Sequence, residues 1–216
     1  MEMQYKRERE EILWASRRLT NGGIDFLPAT DGNISVRVDK SKILITPTTR
    51  FKENLTAEEI LLTDIDGNLL EGNGSPSSEM MMHLSIYRER ADVFSVVHAH
   101  PVFTLSLSVS GRSIPTELLS ESLVRLGKDV PVAPFAVPGT EEVSESVRPY
   151  IKGFNAIILS NHGAVTFGKD IYDAVARMET LEHLSKIAYL CYLLGEPEYI
   201  SEDGVKRILS FFKGKR

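Results

Sequence analysis

Residues Asp170 to Leu194 place Ile171, Ala174, Val175, Met178, Leu181, Leu184 and Ala188 at the three- and four-residue spacing of one helix face. A helix this long with one apolar stripe must bury that stripe against another layer. The middle of the chain supplies strands for such a layer. Asn33 to Val38 alternates apolar and polar residues, and Lys42 to Thr46 follows across the turn Asp39-Lys40-Ser41. Leu61 to Asp64 and Asn68 to Leu70 flank Asp66-Gly67, a hairpin signal. Phe94 to His100, Val130 to Phe135, Ala156 to Ser160 and Ala164 to Phe167 read as further strands. Helices are expected at Tyr5 to Leu19 (stopped by Asn21-Gly22-Gly23), at Glu79 to about Arg90, at Glu141 to Ile151, and at Ser201 to Phe212 with Ser201 as N-cap. Hairpin strands between helical ends predict an α/β chain, three-layer α/β/α with a central, largely antiparallel or mixed sheet, in one domain over residues 1–216.

Charge and cysteine content narrow the function classes. The net charge is -5, and the only basic block is Lys213-Gly214-Lys215-Arg216, which disfavours a nucleic-acid partner. The longest apolar run, Ile187 to Leu194, is too short to span a membrane. One cysteine, Cys191, cannot form an internal disulfide, and Met1 to Glu11 is charged rather than apolar; both point to the cytoplasm. Cys191 and the run Met80-Met81-Met82 read as packing residues.

The chemistry concentrates in a few short stretches. In Val96-Val97-His98-Ala99-His100-Pro101, positions two apart share a strand face, so His98 and His100 point the same way and can reach one metal ion. His162, in the turn Ser160-Asn161-His162-Gly163, would complete three neutral imidazoles, a set suited to Zn2+, with Fe, Co or Mn as alternatives. Glu79 follows Ser77-Ser78 at a helix start; it is either a carboxylate favoured by the helix dipole or a proton carrier beside a metal. Ser77 and Ser78 at that N-terminus suit an anion, or simply cap the helix. Asp31-Gly32-Asn33-Ile34-Ser35 and Thr46-Pro47-Thr48-Thr49-Arg50 are turns rich in amides and hydroxyls. His83 and His183 read as structural.

Gly32-Asn33-Ile34-Ser35, Leu44-Ile45-Thr46-Pro47-Thr48, Pro76-Ser77-Ser78-Glu79, His98-Ala99-His100 and Asn161-His162-Gly163 occur in this order along nearly the whole chain. Together they resemble the class II aldolase family, the group that contains L-fuculose-1-phosphate aldolases. The resemblance implies Zn2+ held by His98, His100 and His162, Glu79 as catalytic acid/base, and a substrate phosphate held by Asn33, Thr48, Ser77 and Ser78. It implies cleavage of a ketose 1-phosphate to dihydroxyacetone phosphate and a hydroxyaldehyde such as lactaldehyde, in a homotetramer with active sites between subunits. Leu119 stands where the family has a tyrosine, with Glu117 and Glu121 as nearby substitutes, and Thr49 stands where it has a glycine. The aldehyde-side aromatic tail is represented by Phe211 and Phe212.

Other readings share the scaffold: a pentulose-5-phosphate 4-epimerase, whose pattern has aspartate after the serine pair, a methylthioribulose-1-phosphate dehydratase, or a non-catalytic adducin-head-like binding module. A cupin-type metal oxygenase also uses His-x-His, but its nearly all-β fold conflicts with the two long helices.

Overall fold

The structure is a computed structural model and describes residues 3–21 and 26–213. Helix α1 (Lys6–Asn21) leads into the sheet strands β1 (Asn33–Arg37), β2 (Lys42–Ile45), β3 (Leu61–Asp64) and β4 (Leu69–Glu71). Helix α2 (Met80–Glu89) and β5 (Ser95–Ala99) follow, then α3 (Val102–Val109), α4 (Ser120–Leu126) and β6 (Val132–Ala133). The chain continues through α5 (Glu141–Val147), β7 (Ala156–Leu159), β8 (Gly163–Gly168), α6 (Ile171–Leu194) and α7 (Glu202–Phe212). Gly22 and Gly23 of the expected helix stop lie outside the described residues, as do Gly214 to Arg216 of the basic tail.

The strands form one sheet in the order β4-β3-β2-β1-β5-β8-β7-β6. Every pairing is antiparallel except β6 with β7, so the sheet is mixed. Alternation along each strand divides the core in two. Ile34, Val36, Val97, Ala99, Ile158 and Ala164 pack with α1, α3, α4 and α6 on one face. Val96, Ile157, Val165 and Phe167 pack with α2 and α5 on the other. This is the expected α/β/α sandwich, and the predicted stripe of α6 is its longest buried surface, from Ile171 to Ala188.

Local chemistry sets the element ends. The Asp170 carboxylate accepts from the Asp173 amide at 2.7 Å and caps α6, while Ser201 Oγ accepts from the Gly204 amide at 3.2 Å and caps α7 as expected. Gly67 turns the β3–β4 hairpin with φ +94°, a left-handed conformation that glycine adopts without steric cost.

Four expectations need correction. The strand expected over Val130 to Phe135 is only Val132–Ala133, because Pro131 and Pro134 lack the N–H a longer ladder requires. The helix expected to reach Ile151 ends at Val147, and a 3-10 turn Arg148–Tyr150 holding a proline continues it. Helix α2 starts at Met80, so Glu79 occupies the N-cap position instead of the first turn. Cys191 is half-exposed instead of buried. Met82 is buried and Met80 and Met81 pack partly against the core, as expected of that run.

Candidate active site

Sheet register brings the first two groups together. β1 and β5 are antiparallel neighbours with Asn33 opposite His98, so both side chains leave the same face, toward α2. That face receives Glu79 and His83 from the start of α2. His83, read as structural from sequence, is fully buried and stands 2.6 Å from the Asn33 amide oxygen through Nε2 and 2.6 Å from Ser35 Oγ through Nδ1. The Asn33 amide nitrogen in turn lies 3.5 Å from Glu79 Oε2. His183, also read as structural, is exposed on α6.

His100 sits one residue beyond β5, and His162 sits in the turn between β7 and β8. That turn closes with the His162 amide donating to Leu159 O at 3.1 Å and with Asn161 at φ +55°. The next residue must be small. A Cβ on Gly163 would stand 2.6 Å from the Ala99 carbonyl oxygen and 2.8 Å from ring atoms of both His98 and His100.

The three histidines converge, each presenting a ring nitrogen within 4.8 Å of the others. His98 Nε2 is 3.2 Å from His100 Nε2 and 2.9 Å from Glu79 Oε2, and His162 Nε2 is 3.3 Å from Glu79 Oε1. The donor set fits a cation. His98 Nδ1 faces the Ala164 carbonyl oxygen at 3.0 Å and donates to it, so in the neutral ring Nε2 is a lone-pair acceptor. It therefore meets a second acceptor, the Glu79 carboxylate, and Glu79 Oε1 is buried without a hydrogen bond of its own. A positive ion satisfies both.

Protonation agrees with this. Burial and the neighbouring His98 pull His100 down to about 4 and pull His162 below its ordinary value, so both are neutral at pH 7. Burial pushes the Glu79 carboxyl up, but the adjacent His98 and His162 rings and the Asn33 amide outweigh it, and the group stays a carboxylate.

A second group of side chains lies beside the first. Residues 46–48 run against residues 75–77: the Thr48 amide donates to Ser75 O at 3.0 Å, the Ser77 amide to Thr46 O at 3.3 Å, and Pro47 bridges to Pro76. This brings Thr48 next to Ser77 and Ser78. Ser77 Oγ accepts from the Glu79 amide at 3.3 Å, which fixes the N-terminus of α2. Thr49, where the family resemblance expects glycine, keeps a left-handed backbone at φ +55°.

All eight sequence-predicted residues (Asn33, Thr48, Ser77, Ser78, Glu79, His98, His100 and His162) line one cavity of about 330 Å³. Leu119, Glu117, Glu121, Phe211 and Phe212 do not; Leu119 packs against the α6 side of the core. Three polar lining residues have no role in the sequence reading: Thr30, Lys52, and Asp31, which it names only as part of a turn. Asp31 Oδ2 is 3.4 Å from His100 Nδ1. Lys52 lies in a 3-10 turn with no periodic signal, so only the folded chain reveals it.

Comparison with known proteins places this chain in a family. The Class II Aldolase and Adducin N-terminal domain family matches residues 10–189. The chain belongs to the class II aldolase family. It is 34% identical over 171 residues to an L-fuculose phosphate aldolase of Methanococcus maripaludis, covering 79% of this chain and 91% of that one. It is 28% identical over 213 residues, 98% of each chain, to a 5-deoxy-D-ribulose 1-phosphate aldolase of Bacillus thuringiensis. A solved L-fuculose 1-phosphate aldolase superposes with a TM-score of 0.89 at 29% identity, covering 98% of each chain. The chain is thus an enzyme of class II aldolase type, a metal-dependent class, and its His98, His100 and His162 form a cluster that could hold a metal ion. Among the described residues, no helix is long and apolar enough to cross a membrane.

Proposed function

We propose that this class II aldolase reversibly cleaves a ketose 1-phosphate, of the L-fuculose 1-phosphate type, to dihydroxyacetone phosphate and a short hydroxyaldehyde such as lactaldehyde. The observation that carries the reading is the convergence of three imidazoles and one buried carboxylate beside a hydroxyl-rich pocket. The relatives named for 5-deoxy-D-ribulose 1-phosphate and L-fuculose 1-phosphate agree with the reaction class.

His98, His100 and His162 would hold Zn2+, or Fe, Co or Mn in its place. When bound, the ion supplies Lewis acidity for the charge that develops on the ketone and adjacent hydroxyl oxygens. Asn33, Thr48, Ser77 and Ser78 hold the phosphate, so its binding energy fixes the carbons that react. Glu79 gives or takes the proton at the carbon freed when the C3–C4 bond breaks. Asn33, fastened to His83, orients the Glu79 carboxylate. No lysine Schiff base is required.

The same reading extends to a homotetramer with sites between subunits, in the cytoplasm. Phe135 and Val137, exposed next to the lining residues Pro138 and Gly139, supply apolar surface for a neighbouring subunit at the cavity rim. Light scattering on the eluting peak tests the tetramer.

The deciding experiment is a coupled assay for dihydroxyacetone phosphate release from fuculose, rhamnulose and ribulose 1-phosphates, each with and without a chelator. Chelator-sensitive release from one of them supports the reading. No release by protein shown to carry metal overturns it.

A further inference from the structure

We propose that Lys52 is the cation that recognises the substrate phosphate and so sets the preference for phosphorylated over neutral sugars. The inference deepens the phosphate assignment made above and rests on it.

The groups proposed to hold the phosphate are all neutral: one amide and three hydroxyls. The fixed charges elsewhere in the cavity, Asp31 and Glu79, are negative. The charge of a divalent ion on the three histidines is offset by Asp31 and Glu79, so a phosphate dianion needs a further cation, and its repulsion in a partly desolvated pocket is costly. Lys52 is the sole lysine or arginine among the described residues that line this cavity.

Its setting is unusual for a lysine. The residue is 2% exposed. Its Nζ donates to Thr30 O at 2.7 Å and to Arg50 O at 2.9 Å, both main-chain carbonyls. Those carbonyls belong to the two turns that carry Asn33 and Thr48, so the lysine ties together both loops of the phosphate pocket. An ammonium has three N–H donors, and one remains for a ligand. Buried lysines are normally paired with a carboxylate, whereas this one has two backbone acceptors. Burial lowers Lys52 to about 8 against the opposing pull of Asp31 and Glu53, so at pH 7 it still carries its charge.

The test separates charge from scaffolding. Lys52→Gln retains N–H donors for the Thr30 and Arg50 carbonyls but has no charge, and Lys52→Arg keeps the charge. Both are checked for metal content and melting midpoint, then titrated calorimetrically with inorganic phosphate beside the wild type. Lys52→Gln should weaken phosphate binding about 10- to 100-fold, the range for a charge-assisted hydrogen bond. Its KM for a ketose 1-phosphate should rise in parallel with kcat little changed, while Lys52→Arg recovers most of the affinity. Equal phosphate affinity in the folded Lys52→Gln variant and the wild type would overturn the assignment, as would equal losses in the Gln and Arg variants. A measurement on the wild type stands apart from the folding of any variant: the 15N resonance of the buried Lys52 ammonium should move on addition of inorganic phosphate, and an unmoved resonance at saturation also overturns it. Wild-type protein that binds phosphate through Lys52 yet releases no triose phosphate would defeat the aldol reading and uphold this one.

Discussion

The Asn33 amide oxygen and His83 Nε2 lie 2.6 Å apart in a fully buried contact, and the other Asn33 amide atom faces Glu79. A histidine outside the His98, His100 and His162 cluster therefore sets the orientation of a side chain that faces the carboxylate. Replacing it with leucine leaves the Asn33 oxygen and Ser35 Oγ short of a partner, although Ser35 keeps Tyr87 at 2.8 Å. His83→Leu should lower stability by about 2 kcal/mol and reduce turnover while metal content stays at the wild-type level, as read by urea unfolding, kinetics and elemental analysis. Burial and the neighbouring His98 pull His83 down to about 3 from 6.5, so the unfolded chain takes up this proton first on acidification. Its contribution to stability is intact above pH 6.5 and is lost as pH falls from there toward 3. The wild-type-minus-variant stability difference should shrink across that window. A constant difference would show that folding leaves the proton affinity of His83 unchanged.

Glu79 and His98 are 2.9 Å apart yet should fail differently when mutated. Glu79→Gln preserves volume and leaves three imidazoles in place, so metal content should persist while turnover falls by about 100-fold or more. His98→Ala removes the nitrogen oriented by the Ala164 carbonyl, so metal and turnover should disappear together. Elemental analysis and the release assay on both variants decide the matter. A Glu79→Gln enzyme as fast as wild type would end the role proposed for the carboxylate.

Much of this site was legible before folding because its signals are local. The strand alternation that aims His98 and His100 together, the serine pair ahead of α2, and the stripe of α6 need only near neighbours in sequence. What stayed hidden depends on distant pairings. Nothing local sets Asn33 opposite His98, and without that register His83 is only a histidine on a helix. Lys52 reaches the cavity because its turn packs under the 30–33 loop, a contact no periodicity encodes. α3 and α4 escaped for another reason: they are short, and the serines spread through them blur a helical stripe. Sequence alone sets Glu79 one residue too far into the helix, because serine and glutamate are both ordinary near a helix N-terminus.

Thr49 holds φ +55° although it is β-branched and its side chain is exposed. A left-handed backbone costs such a residue about 1–2 kcal/mol. Glycine removes that strain but adds about 0.5–1 kcal/mol of unfolded-chain entropy. The balance makes Thr49→Gly slightly stabilising, by about 0.5 kcal/mol, with an unchanged KM, because the loop shape already suits glycine. Denaturant midpoints for the two proteins test this, and a clear loss of stability would mean that the Thr49 side chain contributes a contact that offsets its strain.

Gly163 leaves the proposed metal site little room for added volume. Its backbone would accept alanine, but the new Cβ would fall 2.6 Å from the Ala99 carbonyl and 2.8 Å from atoms of both the His98 and His100 rings. None of these can withdraw freely, since Ala99 is in the β5 ladder and His98 is held by the Ala164 carbonyl. The rings must rotate or the β7–β8 turn carrying His162 must lift, and either displaces a ligand nitrogen. Gly163→Ala should therefore weaken metal binding about 10- to 100-fold, the scale of disturbing the surroundings of a ligand, and reduce chelator-sensitive turnover in step. Gly153→Ala, where the added Cβ has open space, serves as the control and should leave both unchanged. If competition against a chromophoric chelator gave Gly163→Ala the wild-type metal affinity, the histidine cluster could not be the metal site in this arrangement.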